Sequence, residues 1–148
     1  MYWIRTIFLT IFFVFFSWTL FGQPFPCDGT LILSNTGQSG TATYRITFGP
    51  FGAIYYNPLA GFQGEYFDAL GFNPKDNYIY GVHSTTNTIV RLHSDGSFDE
   101  LSSNASVSAY AGDCSPDGFY LCYDDSLNQI LIFEVLDDFQ LVDQLPDR

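Results

Sequence analysis

The sequence predicts an all-β fold: a β-propeller-like repeat of about three units, forming an incomplete propeller. Three observations predict it. Turn residues recur at regular intervals, the runs between them are rich in Tyr, Phe, Ile, Val and Thr, and a stretch beginning at Tyr78 reappears 41 residues later. Branched and aromatic residues suit a pleated, half-buried strand, and Gly, Pro, Asn and Asp punctuate it. No segment holds a helical period; the stretch from Leu59 to Leu70 is broken by Gly61 and Gly64.

The first segment stands apart. Arg5 gives a short positive start, and nothing from Thr6 to Gln23 is charged. The apolar run from Ile7 to Phe16, continuing through Trp18 to Phe21, is short for a bilayer span and fits the apolar region of a secretory signal peptide. An uncleaved anchor is the alternative. Residues 1–22 are therefore read as a signal peptide and 23–148 as one partial propeller-like domain, with cleavage next to Gln23. Pro24, Phe25 and Pro26 ahead of Cys27 do not make a lipidation site.

The repeat gives the rest its order. Tyr78-Ile79-Tyr80-Gly81-Val82 aligns with Phe119-Tyr120-Leu121-Cys122-Tyr123, and without a gap Asn87 falls on Asn128, Ile89 on Ile130 and Leu92 on Phe133. Asn73 to Asn77 and Ser115 to Gly118 are the launching turns. An earlier, weaker copy runs from Pro26-Cys27-Asp28-Gly29 into Thr30 to Leu33, and Tyr44-Arg45-Ile46 resembles Val90-Arg91-Leu92. In each unit a turn launches a strand, a polar loop follows, and a second strand returns. Ser94-Asp95-Gly96-Ser97 then makes a second hairpin, with a third strand from Phe98. A period of this size with several strands per unit is propeller-like, with solenoid and sandwich as alternatives. One small sheet cannot bury both faces alone, so neighbours cover each other. Propellers usually have about four to eight blades, and only about three units fit after the signal, so open edges and apolar faces are expected to invite association.

The motifs Pro26 to Ser34, Phe67 to Gly81 (with Asn73-Pro74 and Asp76-Asn77) and Ala111 to Tyr120 (with Ser115-Pro116-Asp117-Gly118), taken in order, resemble an uncharacterised β-propeller-like domain of secreted bacterial surface proteins. The resemblance implies an extracellular domain of large surface proteins, some carrying adhesion modules or gliding-associated sorting tails, and no catalytic residues.

Charge narrows the function. The chain has 5 Lys and Arg against 16 Asp and Glu, a formal net charge of −11. That argues against nucleic acid, whose phosphates need a basic face, and against docking on anionic lipid. No membrane insertion is expected after signal cleavage.

Several residues invite sharper readings. Asp113, Asp117, Asp124, Asp125, Asp137 and Asp138 cluster in turns and suggest calcium, but no calcium-loop motif is present, so turn chemistry is favoured and no cofactor is expected. A glycosidase needs two carboxyls across a sugar. Asp99 and Glu100 are neighbours in a strand and point to opposite faces, whereas Asp68 and Asp113 open equivalent units and could converge. His83 and His93 are expected at the surface, lacking a third metal ligand. Ser94 lies in no nucleophile elbow, and the glycines near Gly37, Gly40, Gly49 and Gly52 form no phosphate loop. Cys27, Cys114 and Cys122 allow at most one disulfide, with no pairing preferred. Tyr55, Tyr56, Tyr66, Tyr78, Tyr80, Tyr110, Tyr120 and Tyr123 are expected to pack between blades where they lie in strands; exposed, they would suit a sugar or protein partner.

The function expected from sequence is a non-catalytic binding or scaffolding module at the cell surface, with a protein or glycan ligand. The alternative is a secreted propeller-type enzyme acting on glycans.

Overall fold

The structure is a computed structural model, and it describes residues 22–26, 28–29, 31–101, 106–136 and 140–146. The signal-peptide reading therefore falls almost wholly outside the described residues. The described chain is nearly all β, and its one helical feature is a three-residue 3-10 turn, Pro50–Gly52. No described helix is long and apolar enough to cross a membrane.

The described residues form eleven strands in three separate antiparallel sheets. Sheet 1 is β1 (Leu31–Gly37), β2 (Gly40–Phe48) and β3 (Ile54–Gln63). Sheet 2 is β4 (Phe67–Phe72), β5 (Ile79–His83), β6 (Ile89–Leu92) and β7 (Phe98–Glu100). Sheet 3 is β8 (Ala109–Cys114), β9 (Phe119–Asp124), β10 (Gln129–Glu134) and β11 (Gln140–Pro146). Each sheet is a meander of sequential strands, so each is one blade of a propeller-like repeat.

The 41-residue repeat is kept in the hydrogen-bond register. Ile79 pairs with Leu92 and Val82 with Ile89 in sheet 2; Tyr120 pairs with Phe133 and Tyr123 with Ile130 in sheet 3. The turns repeat too. Asn87 and Asn128 both take left-handed backbone, as do Gly29, Asn77 and Gly118 in the launching turns. Asn and Gly are the residues that adopt this conformation at least cost.

Because side chains alternate along a strand, residues paired across strands share a face. One row runs Leu31–Ile46–Tyr56 in sheet 1, Ile79–Leu92–Phe98 in sheet 2 and Tyr120–Phe133–Leu141 in sheet 3. We call the face bearing this row the front. The opposite, rear face carries Ile32–Arg45–Asn57, Tyr80–Arg91–Asp99 and Leu121–Ile132–Asp143 in the same places.

The blades stack rear to front. The rear of sheet 2 (Tyr80, Val82, Ile89) and the front of sheet 3 (Tyr120, Cys122, Leu131, Phe133) make one core, with the Tyr80 and Tyr120 rings 6.3 Å apart. Sheet 1 meets the front of sheet 2 in a second core, where Ala60 and Phe62 join Phe67, Ile79, Val90 and Leu92. Each fully buried Val, Leu, Ile or Phe among them contributes roughly 1.5–3 kcal/mol over leaving it in water. Phe25 seals the second core, held by its N–H donating to Asn77 O at 2.7 Å. Hydroxyls fasten the junction: Thr41 Oγ1 accepts the Phe67 N–H at 3.0 Å, and Thr36 Oγ1 donates to Phe67 O at 3.1 Å.

The first strands of sheets 2 and 3, β4 and β8, approach backbone to backbone. A Cβ on Gly71 would lie 2.6 Å from Asp113 Cα, and one on Gly112 would lie 2.4 Å from Ala69 O. Both strands carry a register shift against their neighbour in the sheet, between Asp68 and Gly71 and between Ala109 and Ala111. Such bulges bend a strand and increase its twist.

Candidate binding surface

Sheet 1 differs from the other two in what its front face meets. In sheets 2 and 3 the front rows are covered by the preceding blade. In sheet 1 the corresponding row is open: Leu31 and Tyr56 are each 58% exposed, and Phe48, which pairs with exposed Ile54, is 67% exposed. Leu33 and Tyr44 extend the row, and Tyr44 meets Tyr56 edge to face with ring centroids 6.5 Å apart. A two-residue hairpin at Gln38-Ser39 and a loop kinked at Phe51, which has positive φ, hold this surface at the sheet's two ends. Arg45 is the one charged residue between Leu31 and Gln63; it points to the rear and lies 3.5 Å from Asp28. The surface is thus apolar, aromatic and uncharged, and contiguous patches of that kind commonly mark interaction sites.

The polar residues singled out in the sequence are mostly engaged within the fold. Asp124 is buried; its Oδ1 accepts from the Ser126 and Leu127 N–H groups and the Ser126 hydroxyl, and its Oδ2 accepts from Ser108 N–H. Burial alone would raise its pKa, but these donors outweigh it and hold the carboxyl below its ordinary value. In sheet 2 the equivalent position is His83, whose Nδ1 faces the Thr85 and Thr86 N–H groups in the same way. An imidazole nitrogen and a carboxylate oxygen thus cap the same turn.

Both histidines are buried, at 6% exposure for His83 and 2% for His93, which corrects the expectation of surface histidines. The reason is that the strand–loop junctions where they sit are covered by neighbouring segments. His83 Nε2 contacts Glu65 Oε2 at 2.9 Å and its ring packs on Phe67. His93 Nε2 contacts Asp99 Oδ2 at 3.0 Å, its ring meets Tyr78, and Gly22 lies so close to it that a Cβ there would overlap the imidazole. Arg91 also donates to Asp99, at 2.6 Å. Partial burial opposes ionisation of Asp99, yet the Arg91 and His93 contacts keep its pKa low.

Asp68 and Asp113 lie on the adjoining strands β4 and β8, at different levels along them. Asp68 accepts a hydrogen bond from Ser84 at 2.6 Å beside one end of β5, while Asp113 lies against Gly71, which pairs with Tyr80 toward the other. Asp99 and Glu100 alternate along β7 as expected. Ser94 serves by its backbone, donating to Gln23 O. Among the described residues no group of three or more His, Cys, Asp or Glu side chains is placed to hold a metal ion. Asp137, Asp138 and Cys27 lie outside the described residues. Cys114 and Cys122 are free thiols, and burial pushes both up to about 12.

The tyrosines divide by position. Tyr80 and Tyr120 are fully buried between blades, and Tyr120 donates to Ala69 O at 2.7 Å. Tyr66, Tyr78 and Tyr123 are half-buried, whereas Tyr55, Tyr56 and Tyr110 are exposed. The open front row was missed in the sequence because the strands β2 and β3 carry weak repeat matches. The cue was present in the spacing Tyr44, Ile46 and Phe48 followed by Ile54 and Tyr56, which alternates as one face of a hairpin.

Three like-built antiparallel sheets, stacked rear to front at a repeating interval, define an all-β repeat protein of propeller-like class. The chain belongs to the family DUF6923, described as a repeat of unknown function, whose model matches residues 32–136. That match takes in most of sheet 1, all of sheet 2 and sheet 3 through β10. Comparison with curated proteins gave no match, and comparison with solved structures gave none.

Proposed function

We propose that this chain is a non-catalytic binding or scaffolding module, exported by its N-terminal segment to the cell surface, where it engages a protein or glycan. The observation that carries the reading is the open apolar and aromatic front row of sheet 1. Exposed Tyr stacks on sugar rings and is enriched at protein interfaces. The engagement of Asp68, Asp99, Asp124, His83 and His93 in turns and inter-strand contacts supports the same reading, since those groups are used to hold the blades. Arg5 and the apolar run from Ile7 to Phe21 support export.

The test is a glycan array and a hydrolase panel run on the exported chain and on its Tyr56→Ala variant. Binding without turnover, weakened in the variant, is expected. Turnover that disappears in Asp68→Asn or Asp113→Asn would replace this reading with that of a glycan-acting enzyme.

A further inference from the structure

We infer that a second copy of this chain docks rear to front on the first, the rear of its sheet 3 covering the open front row of sheet 1. The inference rests on reading that row as a binding surface and names its partner.

The chain makes this kind of contact twice within itself. The rear of sheet 1 lies against the front of sheet 2, and the rear of sheet 2 against the front of sheet 3. Among the described sheets, two faces have no other sheet against them. One is the front of sheet 1, with Leu31, Leu33 and Tyr56 exposed. The other is the rear of sheet 3, where the row Ala111–Tyr123–Ile130–Leu145 runs beside Asp113–Leu121–Ile132–Asp143. Ile130 and Leu145 are exposed there. The two faces are the repeat equivalents of surfaces that already fit each other inside the molecule, so a copy set one blade-step along presents the complementary side.

Charge disfavours a symmetric contact of rear against rear, and the Leu145→Asp variant below separates the unlike-face contact from one of front against front. The rear of sheet 3 carries Asp113 and Asp143 in its central row and Glu134 at its margin, and no Lys or Arg occurs from Ala109 to Pro146. Rear against rear would set the carboxylates of two copies together without a counter-charge, which is costly. The front of sheet 1 carries no charge, and its sheet contains a base and no acid. A contact between unlike faces either closes into a ring or continues as a filament. Two copies of the three described sheets would set six side by side, inside the usual range of roughly four to eight for a closed propeller, and a closed pair is the product the inference predicts for this chain.

The experiment is light scattering and sedimentation on the chain recovered from an exporting host, with two exposed-site variants: Tyr56→Asp on the front and Leu145→Asp on the rear. The unaltered chain should have twice the mass of one chain. Each variant alone should associate roughly tenfold or more weakly, a loss typical of an interface anchor. Mixing the two variants should restore a one-to-one pair, because each still has one intact face. Circular dichroism and protection of the Leu92 amide against exchange check that both variants remain folded. A chain that stays monomeric at all accessible concentrations, or a mixture no more associated than either variant alone, overturns the inference. If the chain is monomeric but Tyr56→Asp still abolishes binding to a glycan, the binding-surface reading stands and self-docking falls.

Discussion

Gly71 and Gly112 show how tightly the blades are set. Each sits where any side chain would enter the neighbouring strand's backbone, with Asp113 Cα or Ala69 O in the way. Backbone yields less readily than a flexible side chain, so Gly71→Ala should cost about 1–3 kcal/mol, the usual scale of overpacking. Urea unfolding would show this as a lower midpoint with an unchanged slope. Asp124 makes a different prediction. Its carboxyl is lowered by hydrogen bonding in the fold, so the stability it contributes is present above the unfolded-state value and lost as pH falls through the folded one. Asp124→Ala should destabilise by about 1–3 kcal/mol at neutral pH, the cost of leaving its donors unpaired. It should also flatten the loss of stability below about pH 4, near the unfolded carboxyl value. The thiols run the other way. Cys114 and Cys122 are raised by burial to about 12, so the fold keeps them protonated and stability falls as pH rises above the ordinary thiol value. Cys122 should resist alkylation in the native chain at pH 8 and react once urea unfolds it.

At the level of elements, the hairpins β5–β6 and β9–β10 were legible in the sequence almost to the residue. Tyr78 to Leu92 and Phe119 to Phe133 carry both the apolar alternation and the Asn that turns each loop, so local chemistry and register agree. Replacing Asn128 by Val, which resists the left-handed backbone, should cost about 1–2 kcal/mol and would be read by thermal unfolding. The strands β4 and β8 were seen as motifs but not as strands. Their bulges break the two-residue alternation that marks a strand, and their Gly and Ala residues are chosen for close approach rather than for β preference. The β2–β3 hairpin was obscured for another reason: Pro58, Gly61 and a register shift between Thr43 and Tyr44 interrupt its pattern. The histidines were misplaced because burial at a strand–loop junction depends on segments distant in sequence, such as Gly22 against His93 and Glu65 against His83.

The whole molecule is a stack in which every blade depends on its neighbour. Most of the core lies between sheets, so in the unpaired chain the middle blade should be the most protected and the front of sheet 1 the least. Hydrogen exchange should accordingly rank the amides of Val90 and Leu92 above those of Leu31 and Leu33. The candidate surface follows from this architecture: the same row that is core in sheets 2 and 3 is exposed in sheet 1. Sequence could say that apolar faces would remain open, but which face, and on which sheet, required the order of stacking.

The most direct test of this architecture is a nuclear Overhauser map of the tyrosine rings and strand backbones. Contacts should place Ile79 opposite Leu92 and Tyr120 opposite Phe133, with the Tyr80 ring against that of Tyr120 and Gly71 against Asp113. Tyr80 and Tyr120 in separate environments, or the two hairpins paired in unlike registers, would contradict the rear-to-front stack on which both the fold and the proposed surface depend.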